Sequence, residues 1–290
     1  MQRRTFLKLC GASFIADRLF IGNLWAREPS LISLSEGKDY LQITRNAIEA
    51  LGGMKRFVKA GDTVVVKPNM GWDRRPEYAA NTHPLVVRAI VEEALKAGAK
   101  RVKVFDNPCN EPRRTYENSG IPAALKGIEN VEVKQMEEER YHKVQLHGVS
   151  LREWELYGEA TSANVFINVP VAKHHGLTRL TLANKNIMGG NRGYIHRDIE
   201  NALADVNAVI RSRLTIIDAT RILTNHGPSG GSIKDVRVLN RVIASADMVA
   251  ADAYATTLFG LAPRDIAITL NAFKRGLGEI DLDKIKVVKA

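Results

Sequence analysis

Cysteine is nearly absent from this chain: its 290 residues carry two, Cys10 and Cys109. That count excludes a disulfide framework and a four-cysteine iron–sulfur site. The CxxC, HExxH, GxGxxG and Walker patterns are missing too, which leaves no sequence support for a thioredoxin-like site, a zinc protease, a dinucleotide fold fingerprint or a P-loop. Past the amino-terminal segment, no stretch is apolar for long enough to span a bilayer. There is no internal repeat, no low-complexity linker and no concentrated Lys/Arg run, so a dedicated nucleic-acid groove is not expected.

The composition that is present, 45% hydrophobic and 26% charged, suffices for a full core in one large domain or two closely packed lobes. The formal charge is +10. Arg3, Arg4, Lys8, Arg18 and Arg27 oppose only Asp17 in the first 27 residues, which leaves 37 basic and 31 acidic residues beyond them, a balance of +6. A mild basic excess without clustering favours small acidic ligands.

The amino terminus, Arg3-Arg4-Thr5-Phe6-Leu7-Lys8 followed by an apolar stretch, resembles a twin-arginine export signal. It implies the twin-arginine export machinery as a partner and a periplasmic or otherwise extracytoplasmic location. Asp17-Arg18 interrupts the apolar region, and Leu24-Trp25-Ala26 departs from a small-x-small cleavage site. The segment therefore reads either as a leader removed after Ala26 or as an uncleaved anchor. Residues 1–27 are assigned to it and residues 28–290 to a single α/β domain. Twin-arginine export carries folded proteins, commonly loaded with a cofactor, and Cys109 would be the lone cysteine of the exported chain.

Beyond the leader, helical and strand patterns alternate. A helix over 38–51 ends at Gly52-Gly53, and Thr63-Val64-Val65-Val66-Lys67 reads as a buried strand closed by Pro68. Pro84 opens a helix over 85–97, the next strand covers 101–106, and 131–134 reads as an edge strand. The 140s and 150s show no clear period. A helix with Asp198 as its cap precedes a short strand over 214–218. A strand over 236–244, helices over 246–259 and 263–273 and a strand over 285–288 close the chain. This alternation predicts an α/β fold with a largely parallel sheet flanked by helices.

The chain is organised around residues 164–193. Val165, Ile167 and Val169 give a strand buried on both faces, and Pro170 should end it. A loop crowded with chemical groups should follow: Lys173, His174 and His175, then Asn184, Lys185 and Asn186, then Gly189-Gly190. In parallel sheets ligands bind beyond the carboxyl ends of the strands. Lys67-Pro68-Asn69, Asp106, Asn168 and Asp218 all sit at such ends, so several should meet in one crevice.

These segments, together with Thr82-His83-Pro84 and the Gly227-Pro228 turn, resemble the family gathered as domain of unknown function 362 over most of the chain past residue 60. Members of that family often accompany or contain iron–sulfur modules, and some carry twin-arginine leaders. The resemblance thus implies an iron–sulfur redox partner protein, while this chain lacks ferredoxin-type cysteines of its own. At fold level the arrangement is also distantly similar to the nickel-dependent lactate racemase group, whose cofactor residues have no match here.

Residue by residue, Lys173, His174 and Lys185 are the candidate catalytic groups, a His or Lys serving as general base. Lys67, Asn69, His83, Asp106, Asn186, Asp218, Gly189 and Gly190 are the candidate contacts to a small anionic substrate or a phosphate-bearing cofactor. His174 and His175 could instead hold a divalent metal, completed by His83, His226 or Asp218. The run Gly227-Pro228-Ser229-Gly230-Gly231 fits G-x-S-x-G, but no strand precedes it directly and no helix follows, so Ser229 is not expected to be a nucleophile. Two classes survive: an exported enzyme acting on an acidic small molecule, or a protein that binds and delivers a metal or cofactor.

Overall fold

The computed structural model describes residues 29–190 and 195–290; the leader, and residues 191–193 of the central stretch, lie outside the described residues. In chain order the strands are β1 (Ser30–Glu36), β2 (Thr63–Pro68), β3 (Arg101–Val104), β4 (Val131–Val133), β5 (Tyr141–Gln145), β6 (Glu153–Tyr157), β7 (Val165–Val169), β8 (Val171–His175), β9 (Arg179–Thr181), β10 (Leu214–Leu223), β11 (Val236–Ser245) and β12 (Ile285–Lys289). The helices are α1 (Tyr40–Glu49), α2 (Pro84–Lys96), α3 (Pro112–Ser119), α4 (Ile121–Leu125), α5 (Gly158–Ser162), α6 (Ala183–Asn186), α7 (Ile199–Val209), α8 (Met248–Thr257) and α9 (Ala267–Lys274).

The main sheet runs β12-β1-β11-β10-β7-β2-β3-β4. The β4, β3, β2, β7 and β10 strands are mutually parallel, and β1 pairs in parallel with β12. Within this path only β11 runs against its neighbours. The fold is therefore α/β with a largely parallel sheet.

Alternation along the central strands explains why helices cover both faces. Val64, Val66, Val102, Val104, Val165 and Ile167 point to a core shared with α1 and α2. Val65, Phe105, Phe166 and Ile217 point to the opposite core with α7 and α8. The three valines of β2 are fully buried, each contributing about 1.5–3 kcal/mol. Local signals fix the helix starts: Asp39 accepts from the Gln42 N–H at 3.0 Å, and Pro84 occupies the first turn of α2 behind His83. At Gly98 (φ +104°) a side chain would press on Ala60, with a Cβ 3.1 Å from its Cα, so α2 can only end there on glycine.

Several expectations are corrected. Pro170 interrupts the β7 ladder for one residue only; β8 resumes at Val171 and pairs with β10, so Lys173, His174 and His175 lie on a strand rather than a loop. The expected short strand over 214–218 runs through Leu223, because β11 continues to pair with it past a register shift between Ala219 and Arg221. Asp198 precedes α7 without a side-chain capping bond; its carboxylate instead accepts from Asn201 Nδ2 at 3.0 Å. The expected helix over 263–273 is split, since Ile266 is extended (φ −103°, ψ 99°) between a short 3₁₀ turn and α9. The unassigned 140s and 150s form a separate antiparallel pair, β5–β6. Asp205, fully buried on α7, accepts from the N–H groups of Val149, Ser150 and Leu151 and pins their connection to the body.

Candidate functional site

The carboxyl ends of β2 and β3, the strand β8 and the short helix α6 surround a crevice of about 350 Å³. Its lining includes Lys67, Asn69, Trp72, Asp106, Cys109, Lys173, His175, Thr181, Lys185, Asn186 and Gly189, with Glu138 and Tyr141 at the rim. The strand-end argument therefore brings Lys67, Asn69, Asp106, Lys173, Lys185, Asn186 and Gly189 into one place.

A connected polar network holds these groups. Lys67 Nζ lies 2.6 Å from Asp106 Oδ1, with both side chains buried, and also donates to Pro68 O and to Asn186 Oδ1. Asp106 accepts in addition from the Met70 N–H at 2.6 Å and from the Asn107 N–H at 2.8 Å. Asn186 Oδ1 also takes a bond from Asn69 Nδ2, while Asn186 Nδ2 donates to Asn168 Oδ1 at 2.8 Å. Asn69 Oδ1 in turn accepts from Lys173 Nζ at 2.9 Å, and that ammonium reaches Ala80 O at 2.5 Å. Gly189 sits so close that a Cβ there would run into the Asp106 carboxylate and come 2.6 Å from Lys67 Cε. Only glycine fits, and its role is close packing on the ion pair.

Burial lowers the proton affinity of all three lysines. Lys173 is pulled from the ordinary 10.5 to about 7, first by desolvation and then by the like charge of Lys185. Lys185 falls to about 8, again mainly through desolvation, with Lys67 adding repulsion against Cys109 and Asp106. Lys67 is lowered by burial as well, although Asp106 opposes the shift. Burial, then the Asp106 charge, pushes the Cys109 thiol up, so it is no ready thiolate. The crevice thus holds two amines whose proton affinity is brought near neutrality, beside an ion pair whose Asp106 charge offsets only part of that shift.

Other expected residues lie elsewhere. On a strand, successive side chains face opposite sides; Lys173 and His175 line the crevice while His174 turns away, its Nδ1 accepting from the Gly227 N–H at 3.1 Å. His175 Nδ1 accepts from the N–H groups of Leu177 and Thr178. The two imidazoles diverge, so they do not fit a shared metal ion. Among the described residues no group of three or more His, Cys, Asp or Glu side chains is placed to hold one. Asp218 accepts from the His83 N–H at 2.7 Å and from Thr220, and the His83 ring stacks edge-on against Tyr40 at 4.8 Å between centroids. Burial lowers the pKa of His83 despite Asp218. His83 and Asp218 therefore brace α2 against β10 and do not line the crevice, and Gly190 packs toward Ile210 instead. His226 pairs with Asp235 at 3.0 Å on the surface. Between β10 and the turn at Ile233–Asp235 the Gly-rich loop has no strand–turn–helix geometry, and Gly227 is there because a Cβ would strike the His174 carbonyl.

Asn168, expected from its place at a strand end, supports the site, as do two residues the sequence reading missed, Trp72 and Asp252. Asn168 ties the network to α6 through Ala183 O at 2.9 Å. Trp72 presents its ring 5.9 Å from Lys173 Nζ. Asp252, buried in α8, accepts from the Ala183 N–H at 2.6 Å, the Asn184 N–H at 2.9 Å and Asn184 Nδ2 at 2.9 Å. It caps α6 from a neighbouring helix and so aims Lys185 and Asn186. Burial raises its pKa to about 6 against those bonds. A lone acid among alanines on a helix apolar all round was the signal that could have found it.

The chain belongs to the family described as domain of unknown function 362, whose model matches residues 64–257. All the network residues fall inside that span. The chain is 30% identical over 243 residues to a thylakoid-associated protein of Synechocystis sp., covering 80% of this chain and 73% of that protein. Among solved structures it is similar to the lactate racemase apoprotein of Thermoanaerobacterium thermosaccharolyticum, at 13% identity and a TM-score of 0.48. That match covers 74% of this chain, which spans only 54% of the racemase's length.

Proposed function

We propose that the crevice is the active site of an exported enzyme acting on an acidic small molecule or a phosphate-bearing cofactor. The observation that carries this reading is the pair Lys173 and Lys185, two amines with pKa values of about 7 and 8 converging on one cavity. Lys67 is already matched by Asp106, so the remaining positive charge is available to a ligand. A neutral Lys173 keeps two N–H bonds, to Asn69 Oδ1 and Ala80 O, which leaves its lone pair as the one unsatisfied direction. That is the arrangement of a general base tuned to neutral pH. Lys185, protonated more of the time, supplies the charge that holds the anion and stabilises negative charge as it develops.

The twin-arginine route, an iron–sulfur redox partner and residues 28–290 as one folding unit belong to the same proposal. The Arg3-Arg4 motif and the family resemblance support the first two; pairing of β1 with β12 supports the third. A thylakoid-associated relative favours a place at or beyond a membrane. Among the described residues no helix is long and apolar enough to cross one.

Calorimetry with inorganic phosphate and with malonate tests the site. Binding is expected to weaken about tenfold or more in Lys185→Ala, the loss of one charge-assisted contact. Equal binding by wild type and Lys185→Ala would overturn the assignment. Once a substrate is found, lost turnover with retained binding in Lys173→Met identifies catalysis. Unchanged turnover would make the crevice a carrier site.

A further inference from the structure

We propose that Lys185 is an imine-forming amine, and that the crevice takes a small carbonyl compound bearing a carboxylate, in its simplest form a 2-oxo acid. The inference deepens the anion-binding reading and rests on it.

The three lysines differ in what a new C–N bond would cost. Lys67 is committed to Asp106, and Lys173 donates to Asn69 and Ala80; converting either amine to an imine would strip buried acceptors of their donors. Among the described residues Lys185 Nζ meets the Met188 thioether, at 3.8 Å, and no carboxylate within ion-pair distance. It is half-buried and opens on the cavity, next to other cationic groups, the setting in which a lysine amine becomes nucleophilic.

In the reaction, the Lys185 lone pair attacks the carbonyl carbon, and the proton lost from nitrogen moves to the carbonyl oxygen. The resulting hydroxyl takes a second proton, drawn from solvent through the Lys173 amine, and leaves as water while the C=N bond forms. The product is a protonated imine, with Lys173 left as the neutral amine. No oxidant or reductant is needed.

Reductive trapping tests this. The full-length protein is incubated near pH ~8, where Lys185 is part neutral, with sodium cyanoborohydride and either pyruvate or 2-oxoglutarate, and analysed by intact mass and peptide mapping. The expected result is a single adduct equal to the oxo acid less water plus two hydrogens, located on Lys185. It should fall roughly tenfold or more in Lys185→Arg, which keeps the charge but not the nucleophile. Calorimetry with malonate, which has a carboxylate pair but no reactive carbonyl, runs in parallel. Malonate binding displaced by the oxo acids, with no adduct on Lys185, overturns the imine and leaves the anion site standing. Absence of binding by malonate and oxo acids alike overturns both, and labelling spread over surface lysines that omits Lys185 overturns the imine.

Discussion

Stability should rise with pH on the alkaline side of neutrality, and Lys173 should be a main reason. In the folded protein its amine gives up its proton at about 7, whereas the unfolded chain holds one until about 10.5. Between those values the unfolded state binds one more proton than the native state, so unfolding free energy increases with pH at about 1.4 kcal/mol per unit. From pH 7 to pH 9 the contribution of this one side chain integrates to about 2 kcal/mol, an upper figure because a buried amine relaxes its surroundings. Urea titrations across that range measure it, with Lys173→Met as the control. Because the other titrating groups stay in place, the difference between the two slopes reports Lys173 together with its mutual repulsion with Lys185. Phosphate or malonate should flatten the wild-type slope, since a bound anion holds the proton on. A wild-type slope no steeper than that of Lys173→Met would refute the claim that this amine is neutralised by burial.

Three further outcomes follow from the same network. Asp106→Asn leaves Lys67 charged and buried without its partner and should cost about 3–5 kcal/mol in urea, whereas Lys67→Met combined with Asp106→Asn should recover part of it. Gly189→Ala should destabilise by about 1–3 kcal/mol through overpacking on the Asp106–Lys67 pair and abolish malonate binding in the same calorimetric assay. Asp252→Asn should lower stability at pH 7 by about 1–3 kcal/mol, because one of its two acceptor oxygens becomes a donor facing N–H groups. Since the native carboxyl titrates at about 6 and the unfolded one near 3.8, its own contribution falls as pH rises through that window. Melting curves of Asp252→Asn should lack that acid-side slope.

How much was legible depended on whether a residue's direction follows from its position in the chain. Lys67, Asn69 and Asp106 could be placed because buried parallel strands end at a common edge. Lys185 and Asn186 stood out by the density of polar groups after β7, although they lie on α6 rather than in the expected loop. His174 could not be placed, since reading residues 173–175 as a loop discarded the alternation that sends Lys173 and His175 one way and His174 the other. Pro170 is the reason: proline does end a ladder, but here the chain changes partners, from β2 and β10 to β10 and β9, and carries on. Asp218 and His83 are strand-end and helix-start residues like the others, yet the Asp218 carboxylate is taken up by the His83 N–H and by Thr220, and the His83 ring accepts from the Leu85 N–H. The β5–β6 pair was hidden because its strands mix charges with apolar residues and join no other strand of the sheet.

The pairing of β1 with β12 and β11 has a directional consequence. Because β1 runs parallel to β2, β3 and β7, Ser30 stands at the rim where those strands begin, whereas the lysines cluster where they finish. Whatever is joined ahead of Ser30 is attached on the far side from the cavity mouth. The entry of the chain into the sheet and the mouth of the cavity are thus held apart by the full length of the parallel strands.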